Sequence, residues 1–518
     1  MTTTEQHLQR LTEHLRTAAD LSTVGSLLYW DQATHLPPKG ATVRGRQLAL
    51  LERLAHEHFT DPAVGQWLDV LEPWCETLSP DAFPRLLVDA TRRAYERIRH
   101  IPAAFAAEEA AHYAACYDAW TRARPADDVQ AVLPLLEKTL DLSRRRAAFF
   151  PDCDHPMDPL IDAADPEMTV AELKPLFAAL REPLVRLVQA IQTAPPVDDA
   201  CLRQTFPETE QRAFGEGLIR ALGYDFDRGR QDKTPHPFAV RLGVDDIRIT
   251  TRFDPNDLRD GLFSTIHEMG HALYEQGIDP RFDATPLGHG ASAGVHESQS
   301  RLWENLVGRS LDFWRAWYPI LQDRFPQQLG GVPLETFYRA INRVTPGLIR
   351  TDADEVTYNL HVMIRFELEL ELLEGRLAVA DLPKAWRERY RQYLGVQSPD
   401  HRHGFLQDVH WISGPIGGAF QSYTLGNVLA VQIYQKALAD DGTMGDELQQ
   451  GRTTALHCWL KDNLYRLGNA YPAFDLIRRA TGSELDPQPY LHYLYAKFGP
   501  LYDLDLAPPS TVTATEKV

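Results

Sequence analysis

Residues 266–275 read Ile-His-Glu-Met-Gly-His-Ala-Leu-Tyr-Glu, and the reading of this stretch decides what the fold is built around. His267 and His271 stand four apart, so on a helix both imidazoles leave one face and can reach a single metal ion. Glu268 lies one residue along, placed to act as base toward a water activated by that ion. Ile266, Met269, Ala272 and Leu273 form an apolar side that suits a helix holding such a site from behind. The plain reading of the same residues is two polar side chains riding on a core helix. A third ligand separates the two readings.

Downstream, residues 294–310 read GVHESQSRLWENLVGRS and offer His296, Glu297 and Glu304. Glu297 and Glu304 are seven apart, nearly two helical turns, so both can look to the same side. Spacing neither chooses between them nor excludes His296. One carboxylate would complete a His₂Glu zinc site, and the other could hydrogen-bond a ligating imidazole from behind.

The rest of the chain reads as helices. Leu48, Leu51, Leu54 and Ala55 recur at helical spacing behind the breakers Pro37, Pro38 and Gly40. Amphipathic runs continue through residues 108–122, 132–150 and 170–191, with Pro-rich or polar breaks at 151–167 and around Pro195 and Pro196. Residues 223–260 differ, being rich in Gly, Asp and Pro, and VDDIRITTRF alternates like a short strand. Helices return from Leu258 to Phe498, and the polar tail from Ala507 to Val518 is expected to fray. The expectation is a mainly α fold with a small central β element. It is a single large domain over residues 1–506, with an N-terminal helical part to about residue 200 and a catalytic part after it.

The 518 residues carry 53 Lys and Arg against 72 Asp and Glu, a net charge of −19, with no basic block. A field of that sign argues against nucleic acid and anionic lipid as partners. Cys75, Cys116, Cys153, Cys201 and Cys458 form no paired motif and read as small hydrophobes in a reducing compartment. The first residues lack the regions of a secretion signal, and no apolar run approaches the ~20 residues that cross a bilayer. The expected setting is cytoplasmic, away from membranes.

The stretch around His267, with GVHESQSRLWEN after it, resembles the thermostable-type metallocarboxypeptidases (carboxypeptidase Taq, peptidase family M32). Further motifs carry the resemblance in order along the chain: LLYWDQATHLPPKGATVRGRQ from Leu27, HPF at His236–Phe238, and DIRIT at Asp246–Thr250. IRTDADE at Ile349–Glu355, GFLQDVHW at Gly404–Trp411 and SYTLGN at Ser422–Asn427 follow. The resemblance implies a large helical zinc-peptidase fold with a deep substrate groove. It implies His267, His271 and Glu297 as ligands of one divalent ion, and Glu268 as general base. It also implies a homodimer and removal of single C-terminal residues with broad specificity. Zinc is the expected ion, with cobalt or manganese possible at such N/O sites. Met157, Pro159, the NLYRLG stretch at 463–468 and the run before HPF depart from the family pattern, all away from the ligands.

A carboxypeptidase needs a fixed cation for the terminal carboxylate, and the fork of an arginine suits it. Arg350 is the first candidate, the resemblance implying that its motif recognises the substrate C-terminus. Arg248, Arg252 and Arg343 stand in reserve. Against this, Arg350 can pair with Asp352, Asp354 or Glu355, and Arg248 with Asp245 or Asp246. His236, held between prolines, either lines the substrate groove or stabilises a turn. His410 and Tyr423, flanking the Gly-rich WISGPIGGAFQS, are candidates to hydrogen-bond the oxyanion. A metal-dependent oligopeptidase or endopeptidase would share the His-Glu-His chemistry without needing the carboxylate site.

Overall fold

The computed structural model describes residues 3–509, so the end of the expected polar tail lies outside the described residues. The chain forms two compact units. The first comprises residues up to His100, Ala200–Tyr338 and Ile433–Gly482, and the second comprises Ile101–Asp199, Arg339–Gln432 and the residues from Ser483 onward. Both are helical, and the first holds the small sheet, as the alternation near residue 247 predicts.

In the first unit, helices Thr3–Thr34 and Ala41–Phe59 pair as a hairpin across the Pro37–Gly40 turn. Leu11 and Leu15 from that hairpin meet Val64, Leu68, Leu71 and Leu87 in an apolar core that also takes in Ile278, Phe282 and Leu287. Three strands follow: β1 (Gln231–Lys233), β2 (Ala239–Gly243) and β3 (Asp246–Thr251), in the order β1-β3-β2. β3 is parallel to β1 and antiparallel to β2. Gly243, at φ +152°, takes the position where the β2–β3 register slips.

The sheet sets the position of the helix that carries the two histidines. Ile247 and Ile249 of β3 are fully buried. The Gln231 amide donates to Thr251 Oγ1 at 2.5 Å and to Thr265 Oγ1 at 2.9 Å, and Thr265 lies two residues before His267. That helix, Leu258–Gly277, starts under an Asp257 cap that accepts from the Arg259 amide at 2.9 Å. It is buried on nearly every side.

In the second unit, helix Tyr358–Leu373 is buried on nearly every side and packs against Val170–Thr193 and Leu382–Leu394. Its Asn359 donates to Tyr490 Oη at 2.7 Å and accepts from Thr424 and Asn427, each at 3.0 Å. These bonds tie down the start of helix Gln421–Asp440, where Tyr423 sits. Pro125 lies in the last turn of a helix. Ala103–Ala126 runs one residue past it and ends on Asp127 in the left-handed conformation. Cys75 and Cys116 are buried as expected, but Cys153 and Cys458 are exposed. No helix among the described residues is long and apolar enough to cross a membrane.

Candidate active site

The two histidines of helix Leu258–Gly277 share a face, as their spacing dictates, and a second helix crosses that face. This is Ala293–Arg301, capped by Ser292, whose Oγ accepts from the Val295 amide at 3.1 Å. The crossing is close because residue 270 is glycine. A Cβ there would stand 2.6 Å from Ser300 Cα and 2.7 Å from the Gln299 carbonyl. The approach brings Glu297 Oε2 to 3.7 Å from His267 Nε2 and 3.4 Å from His271 Nε2. One donor atom from each of the three residues lies within 4.8 Å of the others. Two neutral-capable imidazoles and a carboxylate at this spacing fit one divalent ion with room for a further ligand.

The three residues left open by spacing now separate. Glu304 takes the supporting place, its Oε2 2.9 Å from His267 Nδ1. His296 also stands behind a histidine, with Nδ1 2.6 Å from His271 Nδ1, and its Nε2 is 2.9 Å from Glu275. With both Nδ1 atoms engaged, each imidazole presents Nε2 toward Glu297, which is the arrangement that fixes a ligand's tautomer and orientation. After Arg301 the backbone widens into a π-turn over Leu302–Val307, in which the Gly308 amide reaches back five residues to the Trp303 carbonyl at 2.8 Å. Such turns cluster at functional sites; this one carries Glu304.

Charge is balanced locally. Burial pushes the Glu297 carboxyl up, but Arg301, at 2.6 Å, with His267 and His271 holds it well below the usual range. Glu304 is likewise lowered against burial, by His267, Arg309 and Arg301. Burial draws His271 down to about 4, keeping it in the neutral form that binds metals. For His267, burial is outweighed by Glu297 and Glu304, and its pKa is raised. Glu268 is 6% exposed, and burial lifts its carboxyl to about 7 against the pull of His267. A carboxylate poised near neutrality is suited to accept and return a proton.

The first unit also holds His236 and Arg248. His236 is exposed, in a turn where Thr234 Oγ1 donates to its carbonyl at 2.8 Å. Arg248 is paired bidentately with Asp246 at 2.8 and 2.7 Å, and its guanidinium lies 4.3 Å from the Trp30 ring centroid. Of the reserve arginines, Arg252 pairs with Asp260 and Arg343 with Asp199.

Arg350, His410 and Tyr423 belong to the second unit and form one cluster there. Arg350 pairs with none of its sequence neighbours Asp352, Asp354 or Glu355. Its Nε donates to Asp408 at 2.8 Å, Nη1 to Tyr358 Oη at 3.2 Å, and Nη2 lies 3.3 Å from His410 Nδ1. The Tyr423 ring centroid is 4.9 Å from its guanidinium carbon. His410 Nδ1 is nearer to Asp408, at 2.7 Å, so that proton goes to the carboxylate and Nε2 is left for other partners. Asp408 was not a candidate from sequence, although it stands two residues before His410 inside a motif already noted.

This is the fold and donor set of a helical metallopeptidase. The sequence profile described as Carboxypeptidase Taq (M32) metallopeptidase matches residues 10–498, and the chain belongs to that family. It is 42% identical over 510 residues to thermostable carboxypeptidase 1 of Thermus thermophilus, covering 96% of this chain and all (100%) of the relative. Carboxypeptidase 1 of Bacillus subtilis is 36% identical, with 94% and 97% of the two chains covered. The crystal structure of the M32 carboxypeptidase from Deinococcus radiodurans R1 superposes with a TM-score of 0.93 at 49% identity, over 96% of this chain and 100% of that one. The protein is accordingly a metallocarboxypeptidase, a peptide hydrolase.

Proposed function

We propose that the enzyme removes single residues from the C-terminus of peptides, with broad side-chain tolerance, using one divalent ion held by His267, His271 and Glu297. The convergence of these three residues at one point beside the buried Glu268 carries this reading. Zinc is the ion favoured by two imidazoles and one carboxylate, and cobalt or manganese suit the same donors. When bound, the ion supplies Lewis acidity to a water and to the scissile carbonyl.

Glu268 takes a proton from the attacking water and passes it to the leaving amine. Glu304 and His296 keep the two ligand imidazoles turned to the site. Arg350 receives the terminal carboxylate. Its Nη1 donates one N–H to Tyr358 and keeps the other, while Nη2 faces a His410 Nδ1 that already carries its proton, so each terminal nitrogen keeps an N–H for a bidentate carboxylate. His410, through Nε2, and the Tyr423 hydroxyl hydrogen-bond the oxygen that gains charge. His236 and Arg248 contribute to the walls that receive the peptide. Arg248 acts there as a paired cation rather than a free one. The working form is a cytoplasmic homodimer.

Chelation followed by repletion tests the metal reading. Elemental analysis is expected to give one ion per chain, with activity returning in proportion to occupancy. H267A, H271A and E297Q should each lose the ion. Retention of a stoichiometric, activity-supporting ion by any of the three would refute the ligand set.

A further inference from the structure

We infer that Arg365 is a positioning residue which, acting through Asp408, fixes the placement of Arg350 against His410. The inference rests on the roles proposed above for those two residues.

Arg365 lies in the middle of helix Tyr358–Leu373 and is 0% exposed, so no substrate atom touches it. A cation buried so deeply is destabilising unless it is paired and hydrogen-bonded. Its Nε donates to Asp408 Oδ2 at 2.8 Å, and its Nη1 donates to the His361 carbonyl at 2.8 Å and to Tyr390 Oη at 3.2 Å. Its guanidinium carbon is 4.5 Å from the Trp386 ring centroid.

Asp408 Oδ2 also accepts from Arg350 Nε, again at 2.8 Å, while Oδ1 takes His410 Nδ1 at 2.7 Å and the His410 amide at 3.2 Å. One carboxylate therefore holds two guanidinium groups on one oxygen and the imidazole on the other. The His410 amide and imidazole hold Oδ1, and a single donor on Oδ2 would leave the tilt of the carboxylate to one guanidinium alone. Two donors, arriving from the Arg350–Asp352 turn and from helix Tyr358–Leu373, define its plane. The plane aims Oδ1, and Oδ1 aims His410.

The charges agree with the geometry. Burial raises the Asp408 carboxyl, but Arg365 and then Arg350 hold it well below its usual range. His361 is driven toward neutrality by burial and by Arg365. Glu369, one turn further along, is lifted to about 8 by burial and adds no full charge at neutral pH. Two guanidinium groups against one carboxylate leave a surplus positive charge. Arg365 is sealed in the core, so the surplus is expressed at Arg350, where an anionic terminus is to be received.

The test compares kcat/KM on two N-blocked peptides, one with a free and one with an amidated C-terminus. R365Q is expected to lower the free-acid to amide ratio about tenfold, the scale on which small misplacements act, with R365K intermediate. In a D408N background R365Q should cost nothing further, because Asp408 is the route of its effect. E369Q, on the same helix and equally buried, should leave the ratio unchanged. An unaltered ratio in R365Q, or the same loss in D408N as in the wild-type background, would overturn the inference. Should R365Q fail to fold, R365K decides, since a lysine cannot serve Asp408, the His361 carbonyl and Tyr390 together; an unchanged ratio then overturns it. If R350A itself leaves the ratio unchanged, the carboxylate role of Arg350 is what fails. The Arg365–Asp408 coupling in kcat/KM on the free acid then decides the positioning role alone.

Discussion

At the scale of single residues, Glu268 is the sharpest point of the site. It is buried beside the proposed ligands His267, His271 and Glu297 and is not one of them, so E268Q removes the proposed proton carrier while keeping the donor set. The variant is predicted to hold its ion with unchanged stoichiometry and to lose about 10²–10⁴ in kcat. Elemental analysis beside steady-state kinetics checks this. A loaded, active E268Q would remove the residue from the mechanism. The convergence of His267 and His271 was legible in the sequence because helical spacing alone puts them on one face. Arg365 was not, since its partner Asp408 is 43 residues away and nothing in an apolar helical stretch announces a long-range ion pair. Arg350 stood out as a candidate arginine, but its expected neighbours were the wrong acids, because local spacing says nothing of the Gly404–Trp411 segment folding over it.

At the scale of elements, the site depends on one helix crossing. G270A would drive a methyl group into the backbone of Gln299 and Ser300, and both partners are main chain with no side chain to swing aside. The predicted result is a loss of about 1–3 kcal/mol in stability and at least tenfold weaker metal retention, measured by urea unfolding and chelator competition. Gly217, on helix Glu208–Ala221, is the control, as nothing lies within 4 Å of a Cβ there. G217A should gain about 0.5–1 kcal/mol and leave metal affinity alone. Equal behaviour of the two variants would show that the crossing does not set the site. The same crossing explains why spacing left Glu297 and Glu304 unresolved. Both do face the histidines, but the close approach at Gly270 and the π-turn after Arg301 set Glu297 against the Nε2 atoms and Glu304 against His267 Nδ1, and neither feature has a reliable signature in residue order.

At the scale of the whole molecule, helical periodicity and breakers were enough to foresee a mainly helical chain with a small sheet. They were not enough to foresee the interleaving of segments in the two compact units, which no linker marks. Stability should carry the imprint of the buried carboxyls. Glu369 has its native pKa raised to about 8 from the ordinary glutamate value of about 4.3. Its neutral form is therefore native, and its contribution is fully present below about pH 4.3 and lost as pH rises toward 8. E369Q removes that penalty, so its urea midpoint should exceed the wild type's by a margin that grows from pH 5 to pH 8. A margin independent of pH would mean that the carboxyl is ionised in the native state.

The most direct test of the central claim is a mass-spectrometric time course on those same two N-blocked peptides, with a chelated sample as blank. The predicted result is stepwise loss of single residues from the free acid only, abolished by chelation. Internal cuts in both peptides would contradict it, pointing to an oligopeptidase and removing the carboxylate from the role given to Arg350.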